Sequence, residues 1–98
     1  MCRAAEKGYR DIAELLIEHG ADINGEEVSG MTPLHLASRQ GHLPVAELLL
    51  TKGANINARY GILGWTPLFF AESVEMADLL KSYGASNRMY WWATIISG

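Results

Sequence analysis

Residues 30–58 read GMTPLHLASRQGHLPVAELLLTKGANINA, and the fold of the whole chain turns on this stretch. Moved back by 33 positions, its Gly41, Leu48, Leu49, Gly53, Ala54, Ile56 and Asn57 fall on Gly8, Leu15, Leu16, Gly20, Ala21, Ile23 and Asn24. Moved forward by 34, Thr32-Pro33-Leu34 falls on Thr66-Pro67-Leu68. Self-similarity at a period of about 20 to 50 residues is the mark of stacked repeats. The chain therefore reads as one unit written three times.

Each part of the unit has a physical reason. The Thr32 hydroxyl can cap a helix, and Pro33 then occupies the first helical position, where a missing N–H costs nothing. Leu34, Leu36 and Ala37 give that helix an apolar stripe, and Gly41 supplies the positive φ that ends it. Pro44 opens a second helix, with Val45, Leu48 and Leu49 at i, i+3, i+4 spacing. Gly53 stops it, and Asn55 and Asn57 suit the turns that lead to the next unit. A helix pair with an extended loop cannot bury its apolar face alone and must stack on its neighbours.

Thr32-Pro33-Leu34-His35-Leu36-Ala37, Gly41-His42, Glu47-Leu48-Leu49-Leu50 and Gly53-Ala54-Asn55-Ile56-Asn57-Ala58 resemble the ankyrin repeat. The resemblance runs over residues 1–87 and implies an all-α solenoid, with helix pairs joined by β-hairpin-like loops. Repeats are expected at about 1–24, 25–58 and 59–87, followed by a tail at 88–98 that belongs to none of them.

Ninety-eight residues, 49% of them hydrophobic, suffice for one domain. A net charge of −3 offers no basic footprint for nucleic acid or for an anionic membrane surface. One cysteine excludes an internal disulfide framework. The first residues lack the apolar core of a signal peptide, which points to a cytoplasmic protein if the start is genuine. A monomer is expected.

The first copy starts at the position of Leu34, which fits either a bare helix pair that opens the chain or a segment of a longer protein. In it, Cys2 to Lys7 should form a short helix turned by Gly8, with Ile12, Leu15 and Leu16 as the buried stripe of the next. The third copy is three residues shorter between its helices and lacks the Gly of the turn, and Phe69 replaces His35. Val74, Met76, Ala77, Leu79 and Leu80 should still carry a buried face. The tail, RMYWWATIISG, is too short to span a bilayer. It reads as a cap over the last repeat, against a truncation or a partner-binding segment.

The chemistry-bearing residues read as structural. His35 belongs to the Thr-Pro-Leu-His turn, and the resemblance implies that its ring ties the helix start to backbone. No His or Cys pair has zinc-ligand spacing, and the glycines mark helix ends rather than a phosphate loop. No catalytic residue, cofactor or metal is assigned.

What remains is a protein-binding role, with the partner lying across loop tips and the groove face that the resemblance makes concave. Candidate contacts are Glu26, Val28 and Ser29 in the first tip (residues 25–29), Met31 beside it, Arg39 and Gln40 at the end of a first helix, and Arg59, Ile62 and Trp65 in the second. The second tip, residues 59–64, is one residue longer and carries Tyr60, Ile62 and Leu63. Such residues either fold back on the neighbouring loop or form an interaction patch. The alternative role is an accessory segment of a larger enzyme, transporter or effector.

Overall fold

A computed structural model describes residues 1–27 and 29–85, and Val28 and the tail lie outside them. Among the described residues five α-helices and one 3-10 helix follow in order: α1 Cys2–Lys7, α2 Arg10–Glu18, α3 Pro33–Gln40, α4 Leu43–Thr51, the 3-10 helix Pro67–Phe70, and α5 Val74–Ser82.

The central unit forms as its residues dictate. Thr32 Oγ1 accepts from the His35 N–H at 3.3 Å, and His35 Nδ1 accepts from the Thr32 N–H at 3.2 Å. This reciprocal pair satisfies two of the donors that every helix start leaves open. At the other end of α3, Gly41 adopts φ 75°, and its turn returns the cap N–H groups to the Ala37 and Ser38 carbonyls. Each repeat then closes on the same backbone bond after its second helix: Ala21 N–H to Leu16 O at 2.9 Å, Ala54 N–H to Leu49 O at 2.9 Å, and Ala85 N–H to Leu80 O at 3.0 Å.

The units stack in two rows. α1, α3 and the 3-10 helix lie side by side, and α2, α4 and α5 form the second row. Between the rows Leu34, Ala37, Val45, Ala46, Leu49, Leu50, Met76 and Leu80 pack into one buried cluster, with Ala5 from the first repeat. Ala4, Ala13 and Leu48 make a smaller cluster with Leu16 and Ile17 against it. Polar links run along the stack as well. His42 Nε2–H donates to Glu6 O at 2.9 Å, and the Asn55 N–H donates to Asn24 Oδ1 at 2.7 Å.

Three expectations need correction. Ile12 and Leu15 are not a buried stripe: they are 49% and 54% exposed, and α2 buries Ala13 instead. Their counterparts in α4, Val45 and Leu48, are buried, the latter against α2 residues, so what Ile12 and Leu15 lack is a neighbour on that side. In α5, Met76 and Leu80 are buried but Val74 is exposed, because it is the first residue after the Ser73 cap. The first helix of the third repeat is a single 3-10 stretch, ending in extended backbone at Ala71. Without the three missing residues and the turn glycine, the chain has no room for a second α-turn before Ser73 Oγ caps α5 by accepting from the Met76 N–H at 3.2 Å.

Candidate functional site

The second loop is closed by a two-residue bridge. The Tyr60 N–H donates to Trp65 O and the Trp65 N–H to Tyr60 O, each at 2.8 Å. Gly61 and Gly64, with φ of 77° and 69°, turn the chain between them. The four residues inside the bridge are thus pushed outward, and Ile62 and Leu63 stand 104% and 70% exposed at the tip. Apolar side chains held in water by a closed turn are the costly feature of this surface.

Beneath the tip the bridge is nailed to α3. His35 Nε2 lies 2.8 Å from Trp65 O. A carbonyl only accepts, so Nε2 carries the proton and Nδ1 is the acceptor for Thr32. Burial holds the His35 pKa below its ordinary value of 6.5, against a smaller opposing effect of its bond to Trp65 O. The neutral ring therefore serves two helices' worth of backbone at once. Around it the Tyr60 ring lies at 6.1 Å and the Phe70 ring at 5.7 Å. Trp65 is half-buried and stacks face to face on Phe69 at 4.8 Å with planes 2° apart.

The profile of the ankyrin-repeat family matches residues 1–90 in three copies. The chain belongs to the ankyrin-repeat family. Over 35 residues it is 60% identical to the NF-kappa-B inhibitor cactus of Drosophila melanogaster, a match covering 35% of this chain and 7% of that protein. Over another 35-residue match it is 49% identical to protein phosphatase 1 regulatory subunit 12A of Mus musculus, covering 36% of this chain and 3% of that protein. The matched stretch thus spans less than a tenth of either relative.

The ankyrin scaffold separates the nine candidate contacts. Glu26 and Ser29 are exposed on the first tip, where Ser29 Oγ–H donates to Glu27 Oε1 at 2.7 Å. Arg39 and Gln40 are exposed at the end of α3. Arg59, Ile62 and Trp65 come together in the second tip, with the Arg59 stem against Gly64, where an added Cβ would meet its Cδ at 3.3 Å. Val28 lies outside the described residues. Met31 is corrected: it is 2% exposed and belongs to the interior. Arg39 reaches back over it, Nη1 3.6 Å from Sδ, and the neighbouring Gly30 is covered by the Tyr60 ring.

Tyr60 thus folds back on the neighbouring loop, while Ile62 and Leu63 do not. Phe69, 38% exposed beside Trp65, was not among the candidate contacts. The signal for it was its register with His35: an apolar ring at a position whose partner is the next loop.

Elsewhere the arrangement offers little chemistry. The Cys2 Sγ–H donates to Gly25 O at 3.3 Å, and burial, with Glu27 next, pushes its pKa up, so the thiol stays protonated and a poor nucleophile. Among the described residues no three His, Cys, Asp or Glu side chains gather to hold a metal. No described helix is long and apolar enough to cross a membrane. Arg3, Glu6, Lys7 and Glu27 line a shallow cleft of about 230 Å³ between α1 and the first tip, with two charges of each sign.

Proposed function

We propose that the chain is a non-catalytic protein-interaction module, which binds a protein partner through its loop tips and the exposed ends of its first-row helices. The observation that carries this reading is the second tip. A bridged, glycine-turned loop anchored on His35 holds Ile62 and Leu63 in water beside the half-buried Trp65. Rigid display of this kind supplies contact area without an ordering cost at binding, and Trp and Arg are the residues that dominate such interfaces. Glu26, Ser29, Arg39, Gln40 and Arg59 form the polar surround. The relatives support a regulatory role through protein contacts, since one is named an inhibitor of NF-kappa-B and the other a regulatory subunit of a phosphatase.

The test is retention of partners from a lysate of the source organism on immobilised chain. Ile62→Ser with Leu63→Ser, and separately Trp65→Ala, should each lower retention of a specific partner by about tenfold or more while leaving the helical signal intact, as loss of hot-spot residues does. Partners held equally by all three proteins would overturn the assignment of this surface.

A second reading keeps the same surface but makes the chain an accessory part of a larger enzyme, transporter or effector. It is favoured by how small a share of each relative the match covers. Mapping the transcript on both sides of the coding segment decides between the two.

A further inference from the structure

The closing bond shared by the three repeats fixes a count. Six residues beyond Ala21 and Ala54 stand Glu27 and Tyr60, and each donates its N–H across a fingertip, to Met31 O at 3.0 Å and to Trp65 O at 2.8 Å. Tyr60 also covers the repeat before it. Its ring lies over Gly30, 3.6 Å from where a Cβ would stand, and beside His35, which is completely buried. The same six residues counted from Ala85, which leaves α5 by the same bond as Ala54 leaves α4, arrive at Trp91.

The surface such a residue would meet is already in place. Gly30, Met31 and His35 advanced by 34 positions are Gly64, Trp65 and Phe69. In the second repeat the two side chains are sealed, whereas Trp65 is half-buried and Phe69 is exposed. The chemistry has changed in step with the position. His35 needs a carbonyl from the next loop and receives it from Trp65, but Phe69 has no donor and asks only for apolar surface. The segment that follows is rich in it, with Tyr90, Trp91 and Trp92 in succession.

We propose that residues 86–98 occupy this ledge as a third fingertip, with the Trp91 indole over Gly64 and the Trp65–Phe69 pair as the Tyr60 ring lies over Gly30 and His35. The segment then closes the stack from within the chain, and it competes for Trp65 with any partner that reaches that residue. A partner held only at Ile62 and Leu63 leaves it seated. The test needs no partner, so its failure and that of the partner-binding reading are separable.

The experiment uses the intact chain. In hydrogen exchange followed by mass spectrometry, amides in residues 89–96 are expected to exchange about tenfold or more slower than a free peptide, independently of protein concentration. In a double-mutant cycle read by urea unfolding, Phe69→Ala and Trp91→Ala are expected to couple by about three- to tenfold in the folding equilibrium constant, as packed aromatic pairs do. Trp92→Ala, whose side chain points to the other face of an extended segment, should couple with Phe69→Ala by less than about twofold. Free-peptide exchange rates overturn the proposal, as does additivity of the Phe69 and Trp91 changes. Protection that grows with protein concentration also overturns it, by assigning the ledge to a second copy. Where Phe69→Ala fails to fold, the exchange of the unmodified chain decides.

Discussion

His35 carries more of the structure than any other polar side chain described. Its Nδ1 accepts from the Thr32 N–H and its Nε2–H holds Trp65 O, so only the neutral ring fits. A group whose pKa is lowered by folding binds its proton more readily in the unfolded chain. The stability it supports is therefore full above the ordinary value of 6.5 and is lost as pH falls from there through the lowered folded value. Comparing urea midpoints at about pH 7.5 and about pH 5.5 should show a larger loss for the unmodified chain than for His35→Gln, up to the limit of about 1.4 kcal/mol per pH unit that one proton allows. Parallel curves for the two proteins would show that His35 does not titrate in this window. Ser38 presents the opposite case: its Oγ is buried with no hydrogen-bond partner. The same register position in the first repeat is Ala5, completely buried, so a methyl group fits there. Ser38→Ala should stabilise the chain by about 1 kcal/mol, through removal of an unsatisfied hydroxyl and a better helix former. A loss of stability on thermal unfolding would mean that Ser38 Oγ has a bond the geometry does not show.

At the scale of elements, the ends of the first-row helices show how far a shared pattern settles local detail. Gly8 and Gly41 both end such a helix at nearly equal φ, 77° and 75°. An added Cβ at Gly41 meets open space, whereas at Gly8 it would lie 2.6 Å from His42 Nδ1. Gly41→Ala should thus cost only backbone strain, about 1 to 2 kcal/mol. Gly8→Ala should cost more, since it also displaces the His42 ring from Glu6 O. Equal melting temperatures for the two variants would contradict this. The sequence alone made the two glycines equivalent, because both carry the same stop signal and neither reveals what packs on it. The helix bounds of the central repeat were legible for a related reason: Thr32, Pro33 and Gly41 act through their own backbone. The 3-10 helix at Pro67–Phe70 was not, because it follows from the space left between Thr66 and the Ser73 cap rather than from any residue in it. The second tip was half legible. Its extra residue showed that something must protrude, but only the Tyr60–Trp65 bridge decides that Tyr60 turns inward and Ile62 and Leu63 stay out.

At the scale of the whole molecule, burial is a property of the stack and not of the repeat. Met31 and Trp65, or Leu15 and Leu48, hold the same register in neighbouring units and yet differ in exposure, since each unit is covered by the one beside it. This is why periodicity read the apolar positions of α4 well and those of α2 badly: the pattern names residues able to pack and says nothing of whether a neighbour is present. The quasi-one-dimensional character of such stacks makes the consequence measurable. Leu48 is 3% exposed against Ala4 and Ala13, so Leu48→Ala leaves a cavity between the first two repeats and should cost about 2 to 5 kcal/mol. Leu15→Ala makes the same chemical change at the same register but at a half-exposed site, and should cost less than about 1 kcal/mol by urea unfolding. Nearly equal costs would mean that in solution a helix lies on Ile12 and Leu15, as α2 lies on α4. A strong dependence of the Leu15→Ala cost on protein concentration would then identify that helix as belonging to a second copy.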